Sequence, residues 1–148
     1  MQYLELPGWR IRYDRAATQA AHADIPFGGA ESCTCEPCGN WVSNRAILMP
    51  SGFITLLETL GIPPNRDVEV YHNGRLEVGR HLYAGWYHFI GTVEFGEQEA
   101  SPFVEFGSFQ VFFHSRPALL RDTFRGLPVA ELAFSAEVPW LSEIPESD

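Results

Sequence analysis

The chain has 148 residues, the size of one domain, and 45% of them are hydrophobic, which supports a packed core and excludes global disorder. Nineteen acidic residues against ten basic ones give a net charge of −9, and every base is arginine. That balance argues against nucleic acid as a partner. The lack of any apolar run of ~18–20 residues argues against a membrane-spanning helix.

The opening MQYLELPGWRIRYDR lacks the basic-then-apolar order of a secretory signal, which predicts a cytoplasmic protein. Residues 3–15 alternate around Trp9, Ile11 and Tyr13 and predict a half-exposed strand. Ala16–Ala23 predicts a short helix. Asp24–Asn40 reads as loop because Pro26, Gly28, Gly29, Pro37 and Gly39 interrupt it. Trp41–Met49 predicts a helix stopped by Pro50. Ser51 is the expected N-cap of a second helix, with Phe53, Leu56, Leu57 and Leu60 on one face and Gly61 as its left-handed cap.

The second half changes character. Val68–Tyr71 predicts a strand, and His72-Asn73-Gly74-Arg75 carries the Asn-Gly hairpin signal. His81–Phe95, Phe103–His114 and Val129–Phe134 are rich in aromatic and β-branched residues. A short helix is expected from Pro117-Ala118-Leu119-Leu120, ending before Gly126. The fold class is therefore α+β, with helices mainly in the first half and a mainly antiparallel sheet in the second. Residues 1–141 form the expected single domain, with a cysteine loop at 28–40. Residues 142–148 read as an acidic C-terminal tail.

All three cysteines, Cys33, Cys35 and Cys38, fall within six residues. Three thiols cannot all pair within one chain, and their clustering points to metal binding or thiol redox chemistry. Cys35-Glu36-Pro37-Cys38-Gly39 has the C-x-x-C-G form of a metal knuckle, in which a turn brings two sulfurs to one ion and Gly39 supplies the positive φ such a turn often needs. Cys33 offers a third thiolate. Zinc prefers four ligands, and a neutral imidazole leaves less net charge beside three thiolates than a carboxylate would. The candidates are His22, His72, His81, His88 and His114, with Asp24 a poorer choice. His88 is the preferred fourth ligand because it lies in the apolar string Gly85-Trp86-Tyr87-His88-Phe89, where an imidazole needs a partner.

Other constellations read as structural. Strand alternation puts Trp86, His88 and Ile90 on one face and Tyr87 and Phe89 on the other, with core packing as the default use of the aromatics. Pairs such as Glu94 with Glu97, or Glu97 with Glu99, suit a solvated hairpin end better than general acid–base work. Arg116, Arg121 and Arg125 flank the expected short helix and suit pairing with local acids. Gly28-Gly29 lacks the Gly-Lys-Ser/Thr of a phosphate loop.

The strings Cys33-x-Cys35-x-x-Cys38-x-Asn40, Leu57-x-x-Leu60-Gly61-Ile62 and Gly85-Trp86-Tyr87-His88-Phe89 resemble those of a family of small bacterial proteins of uncharacterised activity. The closing Leu127-Pro128, Phe134-Ser135 and Val138-Pro139-Trp140 is similar as well. The resemblance spans roughly residues 30–141. It implies a bacterial single-domain protein in which Cys33, Cys35, Cys38, Asn40 and His88 act as one group, and it supplies no substrate.

The expectation is thus a zinc-binding structural or binding domain in preference to an enzyme, with Asn40 bonding to the ligand set and the ion pinning helices to sheet; three protein ligands with an open fourth position would instead point back to catalysis. One alternative is a thiol–disulfide oxidoreductase using Cys35 and Cys38, which match the C-x-P-C form before a helix. Against it, the preceding Ile25–Ala30 does not read as the buried strand such sites follow. Another alternative is an acidic, inhibitor-like module that captures a basic protein without metal, as the charge of −9 would favour.

Overall fold

The protein is described by a computed structural model covering residues 1–96 and 103–146. Glu97 and Glu99 lie outside the described residues. Strands β1 (Gln2–Leu6) and β2 (Trp9–Tyr13) precede helices α1 (Arg15–Ala23), α2 (Glu36–Leu48) and α3 (Ser51–Leu60). Strands β3 (Glu69–Glu77), β4 (Arg80–Phe95), β5 (Val104–Phe106), β6 (Phe109–His114) and β7 (Val129–Pro139) follow. The fold is α+β, and every strand pairing among the described residues is antiparallel.

The first predicted strand is a hairpin, because Pro7-Gly8 turns the chain and Gly8 takes a φ of 82°. The aromatic stretch 103–114 is likewise a hairpin, turned at Gly107-Ser108. Asp14 caps α1 with a side-chain oxygen that accepts from Ala17 N at 2.9 Å. Helix α3 has Pro50, not Ser51, at its N-cap, with no side-chain bond there; proline's fixed φ suits the entry and leaves Ser51 in the first turn. Gly61 closes α3 in the left-handed region at φ 85°. No helix forms from Pro117. A single 3-10 turn at Asp122–Phe124 replaces it, anchored by the fully buried Phe124.

The Asn73-Gly74 signal does not make a turn. Strand β3 continues through it with a bulge, which the φ of 122° at Gly74 accommodates, and the chain reverses at Val78-Gly79. This choice sets the register: His72 lies opposite Tyr83 and Arg75 opposite His81.

Strand β4 is the spine of the sheet. One edge pairs with β7 from Arg80 to Ile90. The other edge pairs with β3 up to Trp86 and with β2 from Gly91 onward. Between those partners, α1 satisfies the backbone. His22 Nε2 donates to His88 O at 2.9 Å, Thr18 Oγ1 accepts from Ile90 N at 2.9 Å, and Asp14 N donates to Ile90 O at 2.9 Å.

Helices α2 and α3 cover one face of the sheet. Trp41, with no exposed surface, stacks on Tyr83, Phe109 and Phe134 at centroid distances of 5.6, 6.1 and 5.5 Å. Phe53 from α3 packs on Tyr87, Phe109 and Phe134. Tyr87 and Phe89 belong to this core, and strand alternation puts them on the face opposite Trp86, His88 and Ile90. A second, smaller core of Ala21, Ile25, Ile90, Phe124 and Val129 lies apart from it.

The cysteine loop reaches the sheet through glycine. Gly29 N donates to Asp67 O at 2.9 Å, and a Cβ on Gly29 would lie 2.1 Å from Val68 O. Gly39 is different. It sits within α2 without a positive φ, and nothing lies within 4 Å of where its Cβ would be. The knuckle turn therefore owes nothing to a left-handed Gly39. Gly29→Ala is expected to cost about 3 kcal/mol through the backbone clash, lowering Tm by ~6–12 °C, whereas Gly39→Ala should raise stability by about 0.5–1 kcal/mol. Thermal and urea unfolding of the two variants measures both.

Candidate metal centre

Helix α2 starts earlier than Trp41 because Cys35 serves as its N-cap and Pro37 is accepted in the first turn. Cys35 Sγ accepts from Cys38 N at 3.4 Å, and Cys33 Sγ accepts from Cys35 N at 3.5 Å. These backbone donors turn the sulfurs inward. Cys33 Sγ and Cys35 Sγ are 3.1 Å apart, and all three sulfurs lie within 4.8 Å of one another. The cysteines are free thiols. Cys33 and Cys35 are exposed and Cys38 is buried.

Their environments differ. The Cys35 backbone N–H, with help from the neighbouring side chains, holds the Cys33 thiol below its ordinary range. Burial, reinforced by the other two cysteines, pushes the Cys38 thiol well up. Without a cation the cluster cannot hold three thiolates together, and a divalent ion is what makes that state favourable.

The loop is braced from below. Tyr83 Oη donates to Pro37 O at 2.7 Å, and burial raises the Tyr83 phenol to about 12, so it remains a donor. Asn40 is fully buried. Its side-chain oxygen accepts from Leu141 N at 2.9 Å and Ser142 N at 3.0 Å, and its amide donates to Pro139 O at 3.3 Å and Tyr83 Oη at 3.4 Å. Asn40 thus ties α2 to the end of β7. Its bonds go to backbone, to the Tyr83 phenol and to the Asn44 amide, not to a sulfur as the sequence suggested. Glu36 is exposed.

The structure brings Cys33, Cys35 and Cys38 together without a histidine. His88 lies on the opposite face from Tyr87, packed on Phe124 at 5.8 Å. It is fully buried, and neither ring nitrogen makes a hydrogen bond of normal geometry. Burial lowers its pKa to about 4, partly offset by the nearby Ala118 backbone. His22 is also lowered, chiefly by burial. Because it bonds a carbonyl, its Nε2 carries the proton.

A histidine pair escaped the sequence reading. His72 Nε2 and His81 Nδ1 are 2.8 Å apart, and His81 Nε2 is 2.8 Å from Glu146 Oε2. His81 is fully buried against Trp140, and His72 packs on Tyr83. The bond from His81 holds the Glu146 carboxyl below its ordinary range, with Gly79 N also donating to it. His81 Nε2 therefore donates to Glu146, while His81 Nδ1 shares a hydrogen bond with His72. A turn at Asn73-Gly74 would have placed the two rings apart, so the true turn at Val78-Gly79 was the missing signal.

No helix among the described residues is long and apolar enough to cross a membrane. No protein family, curated protein or solved structure matches this chain; of the motifs behind the family resemblance, the structure bears out the clustering of Cys33, Cys35 and Cys38.

The dithiol alternative fares less well. Thioredoxin-like sites follow a buried parallel strand, but Cys35 follows a loop and a 3-10 turn at Ala30–Ser32.

Buried neutral His88 has a consequence for stability. An unfolded histidine protonates below about pH 6.5, while folded His88 stays neutral to about pH 4, so the unfolded chain binds more protons between those values. Stability is fully present above about pH 6.5 and is lost as pH falls through that window, by about 2 kcal/mol at pH 5 from His88 alone. His22 shifts in the same direction. Urea midpoints at pH 7 and pH 5 should show this fall, and His88→Phe should shrink it.

Proposed function

We propose that this protein is a zinc-binding domain in which Cys33, Cys35 and Cys38 hold the ion and the ion serves structure or binding. The observation that carries this reading is the convergence of three sulfurs within 4.8 Å at the capped start of α2. Thiolates are soft ligands that suit zinc, and the N–H groups donating to Cys33 and Cys35 match the environment a bound thiolate needs. The ion stabilises the loop joined to Tyr83 through Pro37 and to the strand through Gly29. Because Cys33 and Cys35 are exposed, the fourth position faces outward, where water or a ligand from a partner completes the tetrahedron.

Protein purified without a histidine tag should carry about one zinc per chain by elemental analysis. Chelation should remove about 3 kcal/mol of stability and lower Tm by ~6–12 °C, and Cys38→Ser should abolish zinc retention. Affinity should weaken as pH falls, since protons compete for the sulfurs. Metal-free protein with unchanged melting after chelation would exclude the assignment.

A further inference from the structure

The face of the sheet opposite α2 and α3 carries a groove of about 410 Å³ across β3, β4, β7 and β6. Its floor and walls follow from register. Ala133 lies opposite Trp86 on one side and Phe112 on the other. A methyl group therefore sits between two aromatic side chains whose strands are two spacings apart, about 9.6 Å. That spacing leaves room for a flat group beside these rings.

Trp86 is held in place. Its Nε1 donates to Ala118 O at 3.2 Å, and Tyr71 meets its ring edge-on at 6.3 Å. At the end of the slot lies Glu131, two residues along β7 from Ala133 and only 7% exposed. One of its oxygens accepts from Ala118 N at 3.1 Å. No arginine ion pair with Glu131 is recorded among the described residues, and the titratable group facing it is His114, its cross-strand neighbour. A buried carboxylate beside aromatic walls, in a chain of net charge −9, is complementary to a flat cation.

We propose that this groove is a binding site for a guanidinium group, stacked between Trp86 and Phe112 over Ala133 and hydrogen-bonded to Glu131. Guanidinium is planar, stacks on aromatic faces and presents a fork of N–H donors that matches a carboxylate; an ammonium has neither property. The site is separate from the cysteine loop and does not depend on the metal assignment.

The test uses the full chain and follows the Trp86 indole N–H by NMR while arginine amide or lysine amide is added. Arginine amide should give a saturable shift at Trp86, with lysine amide at least about fivefold weaker. Glu131→Gln should weaken arginine amide about tenfold or more through loss of the charged hydrogen bond. Ala133→Leu, which fills the slot without changing charge, should abolish the shift and keeps the test decisive if Glu131→Gln fails to fold. A capped Gly-Arg-Gly peptide identifies the source of the group: binding at least as tight as arginine amide assigns a protein side chain, and weaker binding assigns a free small molecule. No saturable shift, equal affinity for lysine amide, or unchanged affinity in Ala133→Leu overturns the proposal.

Discussion

Strand β4 must satisfy backbone groups on both edges along sixteen residues, and three strands and one helix are needed to do it. An unpaired buried amide or carbonyl costs about as much as a lost hydrogen bond, so the gap between β3 and β2 has to be filled. Asp14, Thr18 and His22 fill it from α1. That constraint accounts for polar residues where hydrophobic ones would otherwise pack. It also accounts for a short helix, Arg15–Ala23, lying against the middle of the sheet.

The same strand positions the cysteine loop. Tyr83, one turn of the pleat from the buried His81, reaches both the loop at Pro37 and the ring of Trp41. Asn40 completes the joint by holding the chain after β7 to α2. The exposed sulfurs of Cys33 and Cys35, with Cys38 buried behind them, thus lie at a corner where helix, hairpin and C-terminal segment meet. A metal there would clamp elements already in contact, which is why its expected contribution is to stability. His81 and Glu146 add a second fastening of the C-terminal segment to the same hairpin, so one corner carries both the thiol and the imidazole clusters.

The two faces of the sheet have opposite chemistry. Under α2 and α3, large rings from Tyr83, Tyr87, Phe109 and Phe134 pack against Phe53 or stack on Trp41 and fill the core. On the other face, Ala84, Ala133 and Ser135 are too small to fill the space between their neighbours. The segment from Pro117 to Phe124 covers only part of that face, over His88 and Glu131. Small residues in a row between aromatics leave a groove where a core would otherwise close.

Period and punctuation in the sequence determined the α+β class, the α3 helix with its Gly61 cap, the shared face of Tyr87 and Phe89, and the cysteine cluster. Each depends on residues close in the chain: helical spacing, a positive φ that glycine takes cheaply, alternation along a strand, and thiols within one turn. The bulge at Gly74 and the turn at Val78-Gly79 were decided by tertiary structure, since β4 offers a better register to a longer β3 than the Asn-Gly signal does locally. His88 appeared in sequence as an imidazole in need of a partner; packing against Phe124 and exclusion of water left it neutral and apart from the sulfurs. The pairing of His72 with His81, and the slot over Ala133, exist only once strands distant in sequence are laid side by side, because cross-strand neighbours are set by register and not by spacing along the chain.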